Sequence, residues 1–65
     1  MRVVAVTCKH GECPTVWEDE GDVLVQGYLG GTDTGVTVPA GEAIVRVPRE
    51  LILEAAARLA QEAAG

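Results

Sequence analysis

The sequence predicts an α+β domain: a small, mostly antiparallel sheet of four to five short strands in two hairpins, with one C-terminal amphipathic helix. Three observations predict it. Short β-branched runs fill residues 1–47, separated by turns containing Gly and Pro. From Pro48 onward the pattern changes to Ala, Leu and Glu at helical spacing. The chain has 65 residues, enough for one sheet layer and one helix layer. It is therefore read as a single small domain over 1–65, with strands within 1–47 and a helix over about 48–63.

The elements follow in order. Met1 to Thr7 is short and β-branched, and reads as an edge strand. The next residues form a loop broken by Gly11 and Pro14. Thr15 to Glu18 is a second strand. The acidic turn Glu18-Asp19-Glu20-Gly21-Asp22 offers Gly21 for positive φ and predicts a bulged hairpin. Asp22 to Leu29 then alternates, with Leu24, Gln26 and Tyr28 on one face and Val23 and Val25 on the other. Val36 to Val38 and Glu42 to Val47 make a second predicted hairpin. Its turn, Val38-Pro39-Ala40-Gly41, fits type I, with Pro second and Gly fourth.

Pro48 suits the first position of a helix, where its missing N–H costs nothing. Glu50 favours the dipole, and Glu54 and Arg58 form an i,i+4 pair. On a helical wheel Leu51, Ile52, Ala55, Ala56, Leu59 and Ala63 make one stripe. Leu53, Ala57, Ala60 and Ala64 make a second beside it. Together they span roughly 240°, against about 100° or somewhat more for an ordinary core-facing stripe. Leu53 on the second stripe points to a second packing partner.

Bulk properties sharpen that expectation. Apolar residues are 48% of the chain, too many for a disordered one. Phe is absent, and Trp17 and Tyr28 are the only aromatics. The core must come from small aliphatic side chains, with Trp17 expected as its main residue and a partner-binding anchor as the alternative role for Trp17. A core this small invites completion by a second chain. The predicted assembly is a homodimer with Leu53, Ala57 and Ala60 in its interface.

The net charge is −5, with five scattered cations against ten acids. Nucleic-acid affinity rests largely on cations that neutralise phosphates, so direct DNA or RNA binding is disfavoured, Arg46 and Arg49 at the helix start included. The apolar run near the N-terminus is too short for a signal peptide or a membrane span. The expectation is a cytoplasmic protein with no membrane partner. In that compartment two cysteines are expected as free thiols.

Chemistry concentrates in Thr7-Cys8-Lys9-His10-Gly11-Glu12-Cys13-Pro14, which holds both cysteines and the only histidine. Two thiolates and an imidazole suit zinc, so Cys8, His10 and Cys13 are the candidate metal ligands. A structural zinc takes four ligands, and the chain has no further Cys or His. A Cys8–Cys13 disulfide is the other alternative, modest in its entropic effect because its loop is short. A Cys–His nucleophile has no marked oxyanion hole to serve it. The glycine-rich loop Gly30-Gly31-Thr32-Asp33-Thr34-Gly35 lacks the Lys-Ser/Thr and the following helix of a phosphate loop. The acidic turn lacks the ligand positions of an EF-hand.

Cys13-Pro14-Thr15-Val16-Trp17 followed by Val25-Gln26-Gly27-Tyr28 resembles a group of small actinobacterial proteins. Those read Cys-Pro-Thr-(Val/Ile/Leu)-Tyr, a polar Gly turn, then Val-Val-Gln-Gly. Pro39-Ala40-Gly41-Glu42 and the segment from Val47 to Ala60 stand where that group has a Pro-Glu-Gly-Glu-like turn and an amphipathic segment. The resemblance covers about two-thirds of the chain. It implies a neighbour of helix-turn-helix regulator genes and an accessory partner of such a regulator, without enzymatic activity. Trp17 departs from the group's Tyr, and Cys8 and His10 are not part of its pattern. The expected function is thus a non-enzymatic protein-interaction module with no cofactor. The alternative is a small metal-binding or thiol-redox protein using Cys8, His10 and Cys13.

Overall fold

The computed structural model describes residues 1–8, 11–30 and 33–64, with residue 64 described by its backbone alone. It contains β1 (Arg2–Val6), β2 (Thr15–Asp19), β3 (Asp22–Gln26) and α1 (Arg49–Ala64). The three strands form one antiparallel sheet in the order β1-β2-β3. The α+β class is as the sequence predicts.

The β2–β3 hairpin is tighter than the expected bulged form. Asp19 stands directly opposite Asp22, leaving a two-residue loop. Glu20 and Gly21 have φ of 52° and 92°. Positive φ at both central residues marks a type I′ turn, whose twist matches that of the strands. Two facing carboxylates close the ladder at this end, and the N-terminal ammonium lies 3.5 Å from Asp19.

A bulge in β1 decides which residues enter the core. Arg2 pairs with Glu18 and Val3 with Trp17, but the next partner of Val16 is Ala5. Val4 is the extra residue. A bulge of this kind turns two successive side chains to the same face. Val4 and Ala5 are accordingly 1% and 3% exposed, while Val3 and Val6 lie open on the other side. Val16 meets them from β2, and Leu51 and Ala55 complete the core from the helix. Val47 and Leu59 pack around it.

The helix buries a single line, Leu51, Ala55 and Leu59, one residue per turn. It lies over β1 and β2 rather than over β3. Ile52, Ala56 and Ala63 from the predicted core stripe are exposed. Its last turn carries Glu62, where the helix dipole disfavours an acid. Arg2 answers this by donating to both carboxylate oxygens of Glu62 while lying 3.4 Å from Glu18. The hydrogen bonds from Arg2 hold the Glu62 carboxyl below the usual carboxylate range. Because that pKa is lowered on folding, the clamp acts above the ordinary glutamate range and is lost as pH falls through the lowered value.

The second predicted hairpin does not form. Among the described residues the sheet has three strands, and 36–38 and 42–47 form no ladder with each other. The turn there is shifted by one residue: the Glu42 N–H donates to the Pro39 carbonyl at 3.1 Å. Gly41, at φ 90°, takes the third place of that turn, the mark of type II rather than type I. The returning chain finds another partner. Arg46 and Tyr28 exchange both backbone hydrogen bonds, at 2.8 and 2.9 Å, in an isolated antiparallel bridge. Gly27 makes this approach feasible. A Cβ there would lie 2.6 Å from a Val47 methyl and 2.7 Å from the Arg46 carbonyl oxygen. The regular strand stops at Gln26, short of the expected Leu29, as the chain turns toward this bridge.

Trp17 is a further correction. It is half-buried and pairs between Val3 and Leu24 on the face away from the helix, outside the core cluster. Leu51, fully buried, holds the position expected of Trp17. Leu51→Ala should therefore cost about 2–5 kcal/mol, a large share of the stability of a domain this size. Trp17→Ala should cost less than Leu51→Ala. Thermal melts of both variants check the order, and a reversal would return Trp17 to the core.

Candidate functional site

The predicted chemical cluster sits on the connection from β1 to β2. The Thr7 N–H donates to the Pro14 carbonyl at 3.1 Å, closing the base of the loop. Above that base Cys8 and Cys13 are joined by a disulfide, with Cα atoms 4.1 Å apart. The expected free thiols are thus bridged, and the described residues contain no free cysteine. The closed base brings Cys8 and Cys13, which flank it, side by side. Cys8 is exposed and Cys13 half-buried.

Cys13 is anchored to the sheet through its carbonyl. The Thr15 hydroxyl donates to it at 2.8 Å and the Gln26 amide at 3.2 Å. Gln26 thereby ties β3 to the disulfide loop. Beside this anchor opens a cleft of about 680 Å³, lined by Glu12, Cys13, Gln26, Gly27 and Tyr28 among others. Its walls offer one carboxylate, one phenol, one amide and one sulfur of the bridge. A second hollow of about 320 Å³ lies along Ile44 to Val47, with Thr34 opposite.

Of the predicted metal ligands, the structure brings Cys8 and Cys13 together as a covalent pair. His10 lies outside the described residues. A metal bound through the two thiolates would need the bridge opened first. Among the described residues no group of three His, Cys, Asp or Glu side chains is placed to hold a metal ion. Gly31 and Thr32 of the glycine-rich loop also lie outside the described residues.

The predicted interface residues Leu53, Ala57 and Ala60 all lie exposed along one flank of α1, with Leu53 63% exposed. The sequence reading missed a second apolar surface. All five residues of β3 are exposed, Val23, Leu24 and Val25 at 46%, 41% and 41%. A Val-rich alternating strand does not tell which of its faces the rest of the chain will cover. The sequence reading also missed Gly27. No helix among the described residues is long and apolar enough to cross a membrane. No protein-family model, curated protein or solved structure matches the chain.

The disulfide makes a direct prediction. Native protein should show no titratable thiol, and both should appear after treatment with a dithiol reductant. Two thiols in the untreated protein would contradict the bridge. Zinc then taken up by the reduced protein, measured by elemental analysis, would favour the metal reading of Cys8, His10 and Cys13.

Proposed function

We propose that this chain is a non-enzymatic protein-interaction module that works as a homodimer and serves as an accessory partner of a helix-turn-helix regulator. One observation carries the reading: apolar side chains stay uncovered on two regular elements, the α1 flank and β3. Isolated exposed hydrophobics are ordinary, but a row along one element marks an interaction surface. On α1, Leu53 stands clear of the core line, with the small Ala57 and Ala60 beside it. Small residues let a partner helix approach closely around one larger anchor. The acidic charge suits a basic partner surface, and DNA-binding proteins carry one. The regulator itself is suggested by the sequence resemblance. On this reading the chain acts without a cofactor, in the cytoplasm, and touches neither nucleic acid nor membrane.

A second reading has one observation in its favour. The Cys8–Cys13 bridge, with Cys8 exposed, borders the larger cleft. A thiol-redox protein needs a solvent-accessible sulfur of this kind.

Titration calorimetry against a helix-turn-helix regulator from the same genome tests the leading reading. Leu53→Glu should weaken that association at least tenfold, because a charge would enter an apolar contact. Circular dichroism should stay unchanged, since Leu53 is outside the core. Equal affinity of the variant and the parent would remove the α1 flank from the interface.

A further inference from the structure

We propose that β3 is a self-pairing edge: two copies of this chain join β3 to β3 antiparallel about a two-fold axis at Leu24, forming one continuous six-stranded sheet. This rests on the interaction-module reading; it moves the homodimer contact from the Leu53, Ala57 and Ala60 flank expected from the sequence to β3, and leaves that flank for the regulator.

The sheet has two edges and they are not alike. β1 is broken by the bulge at Val4 and carries the Arg2 clamp, both devices that hinder edge-to-edge pairing. β3 has neither. Its register against β2 is regular over all five residues. It contains no Pro, Lys or Arg, and among the described residues no strand pairs with its outer side. Natural edges are rarely left so plain unless they are used.

The backbone pattern fits a two-fold. In a two-residue hairpin the flanking pair, Asp19 and Asp22, shares its hydrogen bonds. Alternation then turns the N–H and C=O groups of Leu24 and Gln26 inward, and those of Val23 and Val25 outward. With the axis at Leu24, Val23 faces Val25 of the second copy, and Val25 faces its Val23. Each such pair exchanges both backbone bonds. The two Leu24 residues meet as the close, non-hydrogen-bonded pair. Val23 and Val25 project on the helix side, beyond the two strands that the chain's own helix covers, and stay 46% and 41% exposed. In the dimer four valines would line the floor between two helices.

Charge selects the same arrangement. Each hairpin end carries Glu18, Asp19, Glu20 and Asp22. The two-fold sends the two acidic turns to opposite ends of the joint sheet. Asp22 meets Gln26 of the other copy instead of a second Asp22. A parallel pairing would instead bring the two acidic turns side by side. Like charges opposite one another are destabilising.

The experiment uses the intact chain. Sedimentation and light scattering should give twice the 6.8 kDa chain mass at micromolar concentration. The Val23 and Val25 amides should be protected from hydrogen exchange, although they face away from β2. Val25→Pro removes an outward donor without touching the β2 ladder. It should yield a folded monomer, and Val23→Lys should do the same through charge. Leu53→Glu should remain a dimer. A parent monomer, fast exchange at Val23 and Val25, or dissociation by Leu53→Glu with Val25→Pro still dimeric would each overturn the proposal. If Val25→Pro does not fold, Val23→Lys and the exchange data decide. Regulator binding by a monomeric parent would defeat self-pairing and leave the interaction module standing. A β3 dimer that ignores the regulator would do the reverse.

Discussion

The whole arrangement depends on how little the helix buries. Its core line is Leu51, Ala55 and Leu59, and two of those three meet a sheet face offering Val4, Ala5 and Val16 at full burial. With no Phe in the chain and its Trp on the other face, there is not enough side-chain volume to pack a helix across three strands. The helix therefore settles over β1 and β2. β3 is held by its ladder and by Gln26, and its two faces stay open. The same shortage that makes the core marginal thus leaves β3 exposed.

Three local devices hold the helix over that place. The bulge at Val4 turns an extra side chain toward it, which a regular strand of this length would not do. Gly27 lets the backbone at Arg46 close on the end of the sheet, so the chain arrives at Pro48 already aimed across β2 and β1. Arg2 fastens the far end through Glu62 and Glu18. Arg2 and Glu62 are exposed, so this clamp orients more than it stabilises.

The parts of the fold legible in the sequence are those set by local chemistry. Pro48 and the change of period marked the helix, and alternation with Gly21 marked the β2–β3 hairpin. What failed was non-local. Residues 36–38 and 42–47 have strand-like patterns, but the partner that wins Arg46 is Tyr28, far back in the chain. The side of the sheet that Trp17 occupies was hidden for a related reason. A middle strand has apolar residues on both faces, and only the β1 bulge and the helix position decide which face is core. No residue signature announces that bulge. At the candidate site, the proximity of Cys8 and Cys13 was plain from spacing. Their bonding state was not, because compartment and loop geometry pull in opposite directions. That Leu53 stands apart from the buried line was legible from its place on the wheel. β3 was missed as a surface because a Val-rich alternating strand reads as buried until the covering layer is known.

The structure is a thin two-layer domain whose helix is shared between only two strands. The central claim is the packing of that one helical line on the bulged strand. A double-mutant cycle between Val4→Ala and Leu51→Ala tests it most directly, with stability read by chemical denaturation. Residues in direct contact should show a coupling of about 0.5–3 kcal/mol. Strict additivity of the two substitutions would mean that the helix does not rest on Val4, and the account of both the core and the open β3 would fall with it.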